Sequence, residues 1–317
     1  MHAAAFSPRG GVARRAANLR GQSIIEYVLI IAIIGLVIVF AGPGVAGVIR
    51  NQFNLVGNTV NNGTSAGTAG GGASGGGSAG TDSATVQAAV AKDAKDWTLD
   101  EQKAVAEDIA AKGEASPAWA KAKATMENGT RFSMKLTNGK TLEYRIVGIN
   151  HDDLADGSGK AGITFEATND ALDYQRMNAT ETTSGGWEKS ELRGRLNSGD
   201  LWSLLPSELQ SKVNCVTKVI DKTGGVPICR PAATTDKVFL LSTTEVYGDL
   251  QSDGIQYECY KSKGVTRSNY SGASGYSHWT RSVRPRSSTS FRYVQSGGIC
   301  YSYSATDSFY VLPAFCF

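Results

Sequence analysis

The sequence predicts an α+β domain carried behind a long hydrophobic helix, a flexible Gly/Ser linker and a short helical spacer. Three observations predict it. An apolar run from Ile24 to Ala41 is broken only by Glu26 and Tyr27. A stretch over 61–83 is dominated by Gly, Ser, Ala and Thr. Beyond it, segments of strand period enclose segments of helix period, and strands at both ends with helices between indicate α+β. A chain of 317 residues exceeds the usual single domain, so several units are expected. They are a leader at 1–21, a long hydrophobic helix with its amphipathic extension at 22–60, the linker at 61–83, the spacer at 84–127 and the C-terminal domain at 128–317.

Arg9, Arg14, Arg15 and Arg20 precede the apolar run with no acid among them. Eighteen helical residues from Ile24 to Ala41 span about 27 Å, close to the roughly 30 Å hydrocarbon core of a bilayer. Basic residues ahead of such a run hold that end in the cytoplasm. An ordinary secretory signal places its apolar stretch before the cleavage site. Here the candidate cut, between Gly21 and Gln22, comes first, so the helix would stay on the mature protein with Glu26 as its fifth residue.

"RGQSIIEYVLIIAIIG" resembles the start of a Flp-type pilin of the type IV pilus superfamily. The resemblance implies cleavage by a prepilin peptidase between Gly21 and Gln22, with Glu26 and Tyr27 acting in filament assembly. A carboxylate inside an apolar helix is expensive in lipid. It becomes tolerable when paired with the N-terminal amine of an adjacent subunit. The implied partners are other pilin subunits, the peptidase and, before assembly, the cytoplasmic membrane; the implied location is a cell-surface pilus. The alternative is a plain signal anchor in which Glu26 is incidental. A minimal pilin of this type would end near residue 60, so the remaining chain needs its own explanation.

The linker behaves as a coil of about 25 Å end to end. Its Gly72–Gly76 match to GxSxG lacks the strand and helix that a nucleophile elbow requires. In "WTLDEQKAVAEDIAAKG", Thr98 and Glu101 form a capping box and Gly113 a C-terminal cap; a second helix is expected over Pro117–Met126. Asn138–Gly139 centres a hairpin. "GITFEA" reads as a strand, residues 187–213 as two amphipathic helices, and "DKVFLLSTTEVYG" as a buried strand followed by a polar turn.

Five blocks of this C-terminal region resemble bacterial surface modules related to the C-type-lectin-like fold and to formylglycine-generating enzymes. They are "GGWEKSELRGRLN", "LWSLLPSELQSKV", "TTDKVFLLSTTEV", "WTRS" and "VLPAFCF". The resemblance implies a mixed lectin-like domain with Trp187, Trp279, Arg281, Ser282, Pro313 and Phe315 as scaffold. Its enzymatic branch would need a catalytic cysteine pair or a metal site, and no motif here supports either. Asp152, Asp153 and Asp156 lack the alternating spacing of a calcium loop. The five cysteines show no metal-ligand spacing, although Cys215 and Cys229 would close a short loop in an oxidising compartment. No cofactor or metal is expected, and the protein is not expected to be an enzyme.

Charge is uneven. Residues from Cys259 onward hold seven bases against Asp307 alone, giving +6, so a total of +3 leaves −3 for the rest. A basic face of this kind could attract an anionic surface, glycan or nucleic acid, or be simply solvated. No nucleic-acid partner is expected.

The tail mixes Ser, Tyr, Arg, Asp, His, Cys, Ile and Phe without hydrophobic period. All of these can be reached from an Asn codon by changing only its adenines, whereas Lys, Glu, Met and Trp cannot. The composition resembles the variable region of proteins diversified by adenine-mutating retroelements. Its chemistry resembles antibody loops, where Tyr gives contact area at low entropic cost and Ser adaptable hydrogen bonds. The candidate binding residues within 268–310 are Tyr276, His278, Arg284, Arg286, Ser287, Ser288, Tyr293, Cys300, Tyr301, Tyr303, Asp307, Phe309 and Tyr310. The expected ligand is a protein or glycan, in adhesion or surface recognition. The plainer alternative is a closing strand, with Tyr301 and Tyr303 on one side and Ser302 and Ser304 on the other, on a domain that merely decorates its carrier.

Overall fold

The computed structural model describes residues 83–221, 232–248 and 252–317. It opens with three helices, α1 (Ala84–Ala91), α2 (Leu99–Lys112) and α3 (Trp119–Glu127). The capping box forms as expected. Thr98 N–H donates to Glu101 Oε2 at 2.7 Å and Glu101 N–H to Thr98 Oγ1 at 3.2 Å, satisfying two otherwise orphaned donors. Gly113, at φ +58°, closes α2 by donating to the Ile109 carbonyl.

These helices are not a spacer. Val105, Ala106 and Ile109 of α2 are fully buried in one continuous core with the sheets. A Cβ on Gly162, at the entrance to β3 (Ile163–Ala167), would sit 1.8 Å from the Ala106 carbonyl oxygen. That approach is open only to glycine. Tyr144, on β2 (Thr141–Ile149), donates to Gln102 Oε1 at 3.1 Å and locks sheet to helix.

The first sheet has the order β1 (Arg131–Lys135), β2, β3, β12 (Ala314–Cys316), β7 (Val238–Phe239). The hairpin turns at Gly139 with φ +84°, where the Asn-Gly pair predicts it. Alternating burial in β1 presents Phe132 and Met134 to the core, while central β3 is buried throughout. Phe132, Tyr144, Phe165 and Phe315 pack with ring centroids 5.4–5.6 Å apart. Burying each such side chain is worth about 1.5–3 kcal/mol.

Residues 186–210 differ from the expected two amphipathic helices. They form four short pieces, α4 (Gly186–Lys189), α5 (Glu191–Asn197), α6 (Asp200–Leu204) and α7 (Ser207–Gln210). Ser190 stops one and caps the next, accepting from Arg193 N–H at 3.3 Å. Pro206 forces Leu205 into extended backbone, ψ 138°, and ends α6. The polar turn expected after "DKVFLL" is also a helix. Ser242 and Glu245 form a second capping box that opens α8 (Thr243–Tyr247). Helix α9 (Glu258–Ser262) follows, and β5 (Val216–Ile220) pairs with β6 (Ala232–Asp236) as a ribbon.

The second sheet has the order β10 (Cys300–Ser304), β9 (Ser290–Val294), β8 (His278–Val283), β11 (Ser308–Tyr310), β4 (Tyr174–Arg176). Its strands are antiparallel except β8 and β11, which meet in parallel at His278 and Tyr310.

The expected fold class requires correction. Among the described residues no helix is long and apolar enough to cross a membrane. The expected hydrophobic helix at 22–60 lies outside the described residues. What the described residues form is an α+β arrangement of several sheets, with the expected spacer built into it.

Candidate functional site

Two regions concentrate the polar chemistry of the domain, one sealed and one open. The sealed one joins Asp152, Lys218, Glu245 and Arg281, all buried. Lys218 Nζ lies 2.5 Å from Asp152 Oδ1 and 2.7 Å from Glu245 Oε1. Arg281 grips Glu245 with both terminal nitrogens, one at 2.8 Å, and donates to the Asp253 carbonyl at 2.6 Å. Asp152 Oδ2 also accepts from Thr164 Oγ1 at 2.6 Å and Tyr257 OH at 2.8 Å. Burial would raise the Asp152 carboxyl, but Lys218 and His151 outweigh it and hold it well below the usual range. Burial likewise opposes ionisation of Glu245, which Arg281 and Lys218 overcome. Lys218 is driven down by burial and further up by Asp152 and Glu245, so it stays charged.

This cluster accounts for several expected residues. Asp152 is a partner of Lys218 rather than a cation ligand. Asp153 pairs with Lys160 at 2.9 Å, and Asp156 accepts from Ser158 N–H at 2.9 Å. Scaffold residue Ser282 donates to Asp253 Oδ2 and accepts from Thr243 N–H at 2.8 Å. Trp187 Nε1 donates to Asp236 Oδ2 at 3.1 Å, and the Pro313 carbonyl accepts from Ala167 N–H at 2.9 Å. All are buried.

Cys215, Cys259, Cys300 and Cys316 are free thiols; Cys229 lies outside the described residues, as do Gly21, Gln22, Glu26 and Tyr27. Burial pushes the Cys300 thiol up despite nearby Arg292 and Arg267. Burial, reinforced by Asp152, pushes Cys316 far up. The two sit in different sheets, and burial favours the protonated form of each.

The open region is the face of the second sheet. Its edge strand β10 points Tyr301 and Tyr303 to the same side, each 49% exposed. Register places Tyr301 opposite Tyr293, which is only 6% exposed and stacks on Phe309 at 4.1 Å. Phe309 lies edge-on to buried Trp279 at 4.8 Å. Trp279 is fixed in turn, donating from Nε1 to the Gln175 carbonyl at 2.8 Å. Two mobile-length but ring-stiff side chains therefore stand on a packed aromatic base. The hairpin joining β9 to β10 is tied to the core by Tyr247, whose hydroxyl donates to the Gly298 carbonyl at 2.5 Å.

The structure does not bring all the expected binding residues to one place. Arg284, Arg286, Ser287 and Ser288 form the β8–β9 turn, with Arg286 at φ +59°. Asp307 lies in the loop after β10, at the same end of the sheet, where Ala305 N–H bonds the Thr289 carbonyl at 2.8 Å. Cys300 shares the opposite side of β10 with Ser302. Tyr310 stacks on Tyr174 at 3.9 Å and meets Tyr276 edge-on at 5.0 Å; the Tyr174 hydroxyl beside it pushes its phenol up to about 12. Tyr293 and His278 are too buried to touch a partner laid on the β10 surface.

A cavity of about 360 Å³ opens beside that second aromatic group. Its lining includes Arg145, Glu166, Thr168, Tyr260, Lys263, Tyr276 and His278. Arg145 Nη2 reaches Glu166 Oε2 at 3.2 Å and Tyr260 OH at 3.1 Å, while Tyr260 donates to Glu166 at 2.8 Å. His278 Nδ1 lies 2.6 Å from the Tyr276 carbonyl, and burial lowers the imidazole's basicity, with Arg145 adding to it. Sequence reasoning missed Tyr174, Arg145, Glu166 and Lys218. The available signal for the last two was a charge inside the apolar strands "ITFEA" and "VTKVI", which demands a buried partner.

Comparison with known proteins adds one likeness. A family model described as a domain of unknown function, DUF6273, matches residues 161–317, just under half of the chain. No curated protein and no solved structure matches.

Proposed function

We propose that this domain is a ligand-binding module whose contact surface centres on β10 and the aromatic base beneath it. The observation that carries the reading is the pairing of Tyr301 and Tyr303, half exposed on an edge strand, with buried Tyr293 and Trp279 and half-buried Phe309 behind them. Large aromatic side chains on rigid backing lose little entropy when a partner covers them, which is why Tyr is enriched in paratopes and hot spots. Ser288, Arg284 and Arg286 on the adjoining turn supply polar and cationic contacts at the rim. Binding, not catalysis, is proposed, because the charged groups able to do proton chemistry in the core bond one another. The prepilin-like motif Gly21–Tyr27 supports placing the module outside the cell, as part of a surface appendage in adhesion or recognition. The adenine-reachable composition of the tail supports a surface that differs between related copies.

The test is a ligand screen of host-cell and bacterial-surface extracts against the full-length protein and its Tyr301→Ala/Tyr303→Ala variant. A partner captured by the first and lost by the second is expected. Equal capture by both sinks the proposed surface and favours a domain that only decorates its carrier. Mass analysis of the mature N-terminus checks the placement, since cleavage before Gln22 is expected.

A further inference from the structure

We infer that the cavity lined by Arg145, Glu166, Lys263, Tyr276 and His278 is a second binding site, separate from the β10 surface, and that it takes an acidic sugar. The argument starts from charge. Arg131, Arg145 and Lys263 line the cavity against the single carboxylate of Glu166. Arg131 is answered by Glu143 at 2.8 Å, and Arg145 by Glu166. Lys263, exposed on the rim, leaves the pocket with an excess of positive charge. A concave wall of one sign concentrates the opposite sign, so the occupant carries a negative group.

The polar inventory narrows it. Arg145 Nε and Thr168 Oγ1 are buried without a hydrogen-bond partner, a state that native proteins seldom leave unanswered. His278 gives its Nδ1 proton to the Tyr276 carbonyl, so the neutral ring has Nε2 as an acceptor. Glu166 is an acceptor as well. One or two cationic donors suit a single carboxylate, whereas acceptors close by call for hydroxyl groups and oppose a dianionic phosphate.

The mouth supplies the third element. Tyr276 leads from the lining to Tyr310 and from there to Tyr174, 55% exposed on edge strand β4. A pyranose offers an apolar C–H face to such rings, hydroxyls to the acceptors and, when it is a uronic acid, one carboxylate to Arg145 and Lys263. A volume of about 360 Å³ lies at the small end of the range for ligand sites, enough for one sugar unit.

The experiment uses the full-length protein, with ¹⁵N-histidine labelling, titrated with methyl glucuronide, the neutral methyl glucoside, inorganic phosphate, AMP and an acidic hexapeptide. Saturable binding of the glucuronide, with a shift of the His278 imidazole signal and at least tenfold weaker binding of the glucoside, is expected. Lys263→Glu, an exposed change that leaves the unfolding transition in place, is expected to weaken the glucuronide at least tenfold. Tyr301→Ala/Tyr303→Ala is expected to leave it within twofold, so failure of this site and failure of the β10 surface are read separately. No glucuronide binding, equal binding of the glucoside, indifference to Lys263→Glu, or preference for phosphate, AMP or the peptide overturns the assignment.

Discussion

The buried charge cluster and the tyrosine edge strand dispose of their polar and aromatic groups in opposite ways. Around Asp152 and Glu245 every charged side chain has a partner of opposite charge or a hydrogen bond, although Arg281 Nε and Asp253 Oδ1 are buried without one. On β10, Tyr301 and Tyr303 are packed from below and bare above. The first arrangement fixes one conformation and leaves nothing for a ligand. The second contributes little to stability and keeps its contact area available. The difference teaches where this domain is expected to tolerate change: exchanging the exposed side chains of β10 should leave intact the cluster that joins β3, β5, α8, β8 and β12.

The sharpest way to break that contrast is Lys218→Met. It strips Asp152 of its cation and leaves a buried carboxylate unpaired, which should cost about 3–5 kcal/mol, read from the urea midpoint. A loss below about 1 kcal/mol would mean that the cluster is not the anchor it is described as. Acid should act through the same groups. The folded-state carboxyls of Asp152 and Glu245 lie below their unfolded values. Their contribution is therefore complete above the ordinary carboxylate range, about 4, and disappears as pH falls through the lowered values. Lys218 is raised, so its share persists to about pH 10.5 and is lost only above that. Urea midpoints from pH 3 to 10 should show the acid limb in the wild type and a shallower one in Lys218→Met. An identical limb in both would assign acid sensitivity elsewhere.

Gly298→Ala probes the tie between the two regions. Gly298 sits at φ +89°, and a Cβ there would lie 2.2 Å from the Tyr270 carbonyl oxygen. The change should cost about 1–3 kcal/mol in backbone strain and shift the β9–β10 hairpin, lowering ligand capture more than the melting temperature suggests. Intact capture would show that the hairpin position is not critical. The smallest effect on stability is expected from Tyr301→Ala and Tyr303→Ala, about 1 kcal/mol or less each, with complete loss of the captured partner. A large fall in the unfolding midpoint would instead make these tyrosines part of the core.

Local signals in the sequence located much of this. The Asn138–Gly139 hairpin, the Thr98 capping box and the alternation that turns Tyr301 and Tyr303 to one side follow from chemistry within a few residues. What the sequence hid was set by distance along the chain. Asp152 and Lys218 are 66 residues apart, and Arg145 and Tyr260 are 115 apart; no local period marks such pairs. The division of 186–210 into four pieces escaped because the apolar spacing persists across Ser190 and Pro206, although the backbone does not. The helices at 84–127 read as a spacer because their amphipathicity shows an apolar face but not which sheet it covers.

Strand β12 stands between β3 and β7, antiparallel to both. β3 ends at Ala167 and β7 at Phe239, whereas β12 begins only at Ala314, so the first sheet stays split until residues 268–310 have been threaded past it. Contacts this far apart in sequence make folding slow. Closure of the sheet thus becomes a late step that inspects the tail. A substitution within residues 268–310 that kept β12 from its place between β3 and β7 would leave that gap unfilled and the chain open to degradation.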